Sequence, residues 1–318
     1  MKTGKFLPII LLLCLACASY GVRKNIGQER SVSPGMVKGL KPVRIIGEGK
    51  LGSSSLYLPT GIVIDLLGNI FITDTGNDRV VKCDNEGRFL AEIGGFGWED
   101  GEFNRPTYIA TDNGLNVYVV DAQNSRIQIF DHNLNFVSTI EIKEEGDHSG
   151  LGLPEGIAIT SSGEILVSDM EADLLVKLNS FFEYERSFGG FESIGGGLRD
   201  PVGVFVNPDG NVYVADSQND RVTVYDPFGS FVKSFGEKIL ERPRGVTVGQ
   251  DQLVYVANTD KNSLAIFDPD GNLVSEYGNR GSGMVNLSRP TDLKLGKENK
   301  LFVVDSGNHR VLVFELLK

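Results

Sequence analysis

The sequence predicts an all-β ring of six repeated four-stranded units, and three observations carry that expectation. The stretch Asp216-Ser-Gln-Asn-Asp-Arg-Val-Thr-Val-Tyr-Asp226 recurs at 74–84, 121–131 and 305–315, with weaker copies at 169–179 and 258–268. A proline precedes each copy (Pro59, Pro106, Pro154, Pro201, Pro243, Pro290), at steps of 42 to 48 residues. A period of that size marks a repeat architecture. Between these landmarks lie short runs of β-branched and aromatic residues broken by Gly, Asn, Asp and Pro, the pattern of hairpins. No stretch sustains a helical period.

The fourth unit shows how each repeat reads. Residues 202–206 form a first strand, and Asn207-Pro-Asp-Gly-Asn211 is a turn by composition. Residues 212–215 follow, then the Asp216 loop, a third strand at 221–225, a turn at 226–229 and a fourth strand at 230–235. Four-stranded units repeated radially are how a β-propeller protects its sheet edges, and such a fold can hold a chain of this length as one body. The sixth unit reaches Phe314-Glu315 without an outer strand of its own. An orphan segment, Val43-Arg-Ile-Ile-Gly47, looks like Val232-Lys-Ser-Phe-Gly236. Residues 43–318 are therefore expected to form a six-bladed propeller of four-stranded blades, closed by an N-terminal strand that completes blade six.

Residues 1–18 read as a signal peptide, with Lys2 and Lys5 ahead of an apolar run at 6–15 that is too short to span a bilayer. Two exits compete. Leu15-Ala16-Cys17 resembles the lipobox of bacterial lipoproteins, with Cys14 where that pattern prefers Leu, and makes Cys17 the lipidation site; Ala16-Cys17-Ala18 fits plain cleavage before Ser19. Residues 19–42 mix Gly, Ser, Pro and charge without period, the composition of a flexible tether. The expected location is outside the cytoplasm, as a monomeric lipoprotein anchored in a membrane and facing the periplasm or cell surface, or otherwise secreted. The chain carries a net charge of −11, with seven Lys/Arg against Glu29 in residues 1–42, which leaves −17 on the remainder. So acidic a body repels polyphosphate, and no nucleic-acid partner is expected. Cys83 aligns with Phe130, Leu178, Tyr225, Phe267 and Phe314, so it reads as a small buried hydrophobe.

Phe103-Asn-Arg-Pro106, then Gly210-Asn-Val-Tyr-Val-Ala-Asp216, then Asn-x-Arg-Val, together resemble the NHL repeat over residues 43–318. The resemblance implies a six-bladed propeller. For function it implies less, because that fold serves RNA binding in tripartite-motif ubiquitin ligases, a zinc-dependent lyase of peptide amidation, and exported bacterial proteins. An amidation-type lyase holds zinc largely through imidazoles. The three histidines here, His132, His148 and His309, fall on different ends and edges of the expected ring, so no zinc site is assigned.

The Asp…Asn-x-Arg loop reads first as scaffold: Asp accepts backbone N–H groups, Asn tolerates the turn and Arg pairs with a carboxylate. Departures from the repeat are more informative. The first residue after each proline is Thr60, Thr107, Glu155, Val202, Arg244 or Thr291; the second is Gly61, Tyr108, Gly156, Gly203, Gly245 or Asp292. Glycine suits a crowded axis. Tyr108, Glu155, Arg244 and Asp292 are thus the candidate ligand-binding residues at the channel mouth. Six-fold geometry sets Glu155 opposite Asp292, and Tyr108 opposite Arg244. An internal salt-bridge cluster without a ligand is the competing reading. No Gly-x-Ser-x-Gly elbow occurs, and no residue is assigned a catalytic or metal-binding role. The function expected is non-enzymatic binding of a protein, peptide or glycan, with no cofactor. The alternative is a calcium-dependent lactonase or hydrolase of the six-bladed type, in which Glu155 and Asp292 supply two of several oxygen ligands.

Overall fold

The computed structural model of the chain describes residues 39–317, except 113–114, 143–149, 192, 279, 282 and 284–285. All of these lie in one compact unit, Pro34–Lys318. The signal segment, Cys17 and residues 19–38 of the expected tether lie outside the described residues. Among the described residues no helix is long and apolar enough to cross a membrane. Their strands form six antiparallel four-stranded sheets and one short ribbon, Lys50–Leu51 with Ser54–Ser55. Each innermost strand (Ile62–Ile64, Pro106–Asp112, Pro154–Ile159, Pro201–Val206, Pro243–Val248, Pro290–Leu295) packs on that of the next blade, and blade six packs on blade one. The fold is the six-bladed β-propeller expected from the repeat.

Strand alternation explains the core. Successive side chains point to opposite faces of a sheet, and each blade is covered on both faces. In blade four, Val212 and Val214 join the buried cluster shared with blade three, while Ala215 and the half-buried Tyr213 turn to the cluster shared with blade five. The buried apolar residues described fall into six such clusters, one at each blade interface. Cys83 is fully buried between blades six and one, where burial, with Asp84 adding to it, pushes its thiol up to about 12.

Blade six closes as expected. Strand Gly39–Ile46 pairs antiparallel with Arg310–Leu317 from Gly39 opposite Leu317 to Ile46 opposite Val311. It begins four residues ahead of the expected boundary at 43. An outer strand exposes alternate residues, and Pro42 stands at a register shift where no ladder donor is needed. Residues 39–42 consequently have the composition of a linker while lying in a sheet.

The Asp loops hold the blades in shape. Asp74, Asp121, Asp216 and Asp305 are fully buried, and their carboxylates meet the Nε of Arg79, Arg126, Arg221 and Arg310 at 2.7–2.8 Å. The same carboxylates accept the backbone N–H of Tyr57, Asn104, Arg199 and Ser288 from the preceding loops. A second contact was not anticipated. In five blades the residue before the proline is left-handed, with φ between 47° and 62° at Leu58, Arg105, Asp200, Arg242 and Arg289. Its N–H is donated to a side chain of the previous blade's loop: His309 Nδ1, Asp78, Asp173, Asp220 and Asn262, respectively. These bonds fix the backbone at the rim of the face that carries the prolines, and the His309 contact fastens blade six to blade one.

Candidate functional site: the channel mouth on the proline face

Glycines draw the innermost strands together. A Cβ on Gly61 would lie 2.7 Å from the Thr107 carbonyl oxygen, and one on Gly245 would lie 2.7 Å from Asp292 Cα. At Gly156 and Gly203 it would overlap the carbonyl oxygens of Val202 and Arg244. No side chain fits at these positions, so the axis is lined mainly by backbone. Tyr108 occupies the equivalent position in blade two and instead reaches across the ring. Its hydroxyl donates to the carbonyls of Thr291 (2.7 Å) and Arg244 (3.0 Å), in blades six and five.

Glu155 is fully buried and is held by two guanidiniums. Arg244 Nη2 pairs with Oε1, and Arg105 Nη2 lies 3.1 Å from Oε2. The Arg105 side chain is 36 % exposed and that of Arg244 is 20 % exposed. Arg244 Nε is buried and has no hydrogen-bond partner, a state that buried donors rarely occupy unless water or a ligand completes them. Farther out on the same rim, Arg242 and Arg289 stand 3.7 to 4.0 Å from Asp200 and Asp260. An acidic protein thus gathers four arginines around one opening.

The expected pairings change in detail. Tyr108 does meet Arg244, through that residue's carbonyl and also beside its guanidinium. Glu155 and Asp292, set opposite each other in the ring, are engaged separately. Asp292 accepts the N–H of Ile62 (3.0 Å) and of Leu293 (2.8 Å) and lies 3.8 Å from Lys294 Nζ. Burial raises the Asp292 carboxyl above its ordinary value, only partly offset by Lys294 and the two N–H groups. Burial likewise pushes the Tyr108 phenol well above its ordinary value, against the pull of Arg244 and with the help of Asp292 and Glu155. For Arg244, burial pulls the guanidinium down, but Glu155 and Tyr108 raise it further, and it stays charged. Arg105 escaped the sequence reading because it precedes its proline, where Arg242 and Arg289 also stand.

Neither metal considered from sequence fits these donors. His132 lies in an exposed turn of blade two, and His309 Nδ1 already accepts the Leu58 N–H; His148 lies outside the described residues. Glu155 is ion-paired to two arginines, which oppose a cation, although its buried Oε2 accepts no hydrogen bond. Among the described residues no three His, Cys, Asp or Glu side chains are grouped to hold a metal ion.

Residues 103–130, 198–225 and 287–314 match the NHL repeat family. A probable peptidyl-alpha-hydroxyglycine alpha-amidating lyase, pgal-1 of Caenorhabditis elegans, is 29% identical over 143 residues, 41% of this chain and 41% of that protein. NHL repeat-containing protein 2 of Gallus gallus is 34% identical over 98 residues, 28% of this chain and 13% of that protein. The chain thus matches less than half the length of either relative. Among solved structures, a streptogramin B lyase superposes with a TM-score of 0.60 at 14% identity, covering 88% of this chain and 87% of that one. A protein of unknown function from Bacteroides thetaiotaomicron gives 0.62 at 15% identity, covering 87% and 73%. At such identity these structures speak for the fold alone.

Proposed function

We propose, for a chain that carries NHL repeats and closes as a six-bladed β-propeller, a non-enzymatic binding function outside the cytoplasm. The ligand is a protein, peptide or glycan that presents a carboxylate to the mouth on the proline face. One observation carries this reading: Arg105 and Arg244 share the single buried carboxylate of Glu155. The cluster holds one more positive charge than negative, on a body whose excess is strongly negative. Arginine offers a planar, always-charged fork suited to a carboxylate, and the unpaired Arg244 Nε leaves a donor for it. Export and a lipid anchor at Cys17 remain part of the proposal, supported by the basic and apolar pattern of residues 1–18.

The lyase relatives motivate an enzymatic reading as well. It asks for a free acid, base or metal at the mouth. Here the Tyr108 hydroxyl is committed to two carbonyls, Glu155 to two guanidiniums, and the described histidines lie elsewhere. Binding is the better fit to these groups.

The test is a peptide and glycan array in which each carboxylate ligand is printed beside its neutral partner, an amidated peptide or an uncharged sugar. The wild-type protein is expected to bind carboxylate members, with Arg244→Ala losing about tenfold or more in affinity. Equal binding to the neutral partners, or undiminished binding by a folded Arg244→Ala, contradicts the proposal.

A further inference from the structure

At the other end of the ring, away from the prolines, lies a cavity of about 590 Å³ that borders blades one, four, five and six. That volume falls within the range of small-molecule sites. Half-buried Ile64, Phe205, Val248 and Leu295 face it, one from each of these blades. Lys294 lies in the same wall with its side chain 19 % exposed.

Lys294 breaks the repeat. Four residues after the proline, the other blades carry Val63, Ala110, Ala158, Phe205 and Thr247. A lysine in that series places an ammonium where its repeat-mates present apolar groups or a hydroxyl. The other charged residues around the cavity are occupied. Asp65 accepts from the N–H and Nδ2 of Asn69, Asp251 accepts from Leu253 N–H and the Tyr255 hydroxyl, and Lys297 donates to the Leu66 carbonyl. Glu298, at the exposed margin, lies 3.2 Å from Lys300. For Lys294 the nearest carboxylate is Asp292 at 3.8 Å, beyond hydrogen-bond reach, and both Asp292 oxygens already accept backbone N–H groups. No hydrogen bond is made by Lys294 Nζ among the described residues. The ammonium thus has only a long ion pair with Asp292, and a ligand anion in the cavity would give it a closer partner.

We propose that this cavity is a binding site for a small organic acid, its carboxylate on Lys294 and its apolar body against Ile64, Phe205, Val248 and Leu295. The site is separate from the mouth on the proline face, because Tyr108 spans the ring between them. Its ligand is independent of the one proposed there. Lysine supplies a point charge, so the apolar wall, and not a shaped polar cradle, selects the ligand's body.

The probes are octanoate, 1-octanol, octylamine and acetate, titrated calorimetrically into the full chain. Octanoate is expected to bind one to one and at least about tenfold more tightly than each of the other three. Lys294→Met keeps the bulk and removes the charge, and should bring octanoate down to the level of 1-octanol; Lys294→Arg should preserve the preference. The comparison of probes on the wild-type chain stands whether or not a variant folds. Failure of octanoate to bind at millimolar concentration overturns the proposal. So does octanol or octylamine binding as tightly as octanoate, acetate matching it, or octanoate binding unchanged in Lys294→Met.

Discussion

A chain that starts at Gly47 is expected to melt far below one that starts at Gly39, and to aggregate on unfolding. Strand Gly39–Ile46 is the outer strand of blade six and pairs along the whole of Arg310–Leu317. Its removal turns Arg310–Leu317 into an open edge, which invites pairing with other chains. It also uncovers the interface with blade one. Ile46 is 2 % exposed among Leu56, Ile62 and Val313, and Ile45 packs on the cluster between blades five and six. Full burial of a side chain such as Ile46 is worth roughly 1.5–3 kcal/mol, and the half-buried Ile45 adds less, before any ladder hydrogen bond is counted. Together they approach the net stability of a typical domain, about 5–15 kcal/mol. Thermal melts with size-exclusion chromatography check this. Equal melting temperatures would show that the ring holds without its N-terminal strand.

Asp216→Ala should lower stability by about 3–5 kcal/mol, the cost of removing one partner from a buried charge pair. The carboxylate is fully buried and accepts from four groups: Arg199 N–H at 2.8 Å, Asn219 Nδ2 at 3.0 Å, Arg221 Nε at 2.7 Å and the Thr223 hydroxyl at 3.1 Å. Substitution leaves Arg221, 17 % exposed, without its carboxylate and with only the Gly197 carbonyl as acceptor among the described residues. The loop that ties the second and third strands of blade four to the preceding linker is lost with it. Chemical denaturation measures the change. A loss of less than about 1 kcal/mol, the worth of an exposed pair, would mean that the Asp loop is not scaffold.

The ring was legible because a propeller asks the same of every blade. Each needs a proline at the start of its innermost strand, a buried Asp–Arg pair at its loop and glycine at the axis, so these residues recur at a visible period. The latch between blades was not, because Asp78, Asp173, Asp220, Asn262 and His309 share only the ability to accept an N–H. Comparing repeats singled out Tyr108, Glu155, Arg244 and Asp292 as candidates, since a residue that breaks a repeated rule stands out. Which of them touch was beyond that comparison. Partners across an axis depend on side-chain reach, and Arg105 from the preceding blade enters the same carboxylate as Arg244. Lys294 shows the limit of the positions compared: the rule that exposed Arg244 also exposes Lys294 when carried further along the strand.

A carboxylate-binding mouth needs an arginine to spare, and a double-mutant cycle on Arg105 and Arg244 measures that most directly. Either arginine alone can keep Glu155 paired, so Arg105→Ala and Arg244→Ala are each expected to cost no more than about 1–2 kcal/mol. The double variant leaves Glu155 buried without a counter-charge and should cost about 3–5 kcal/mol, more than the two single losses combined. If Arg244→Ala by itself loses as much as the double variant, Arg244 is wholly consumed by Glu155, and the mouth has no charge left for a ligand.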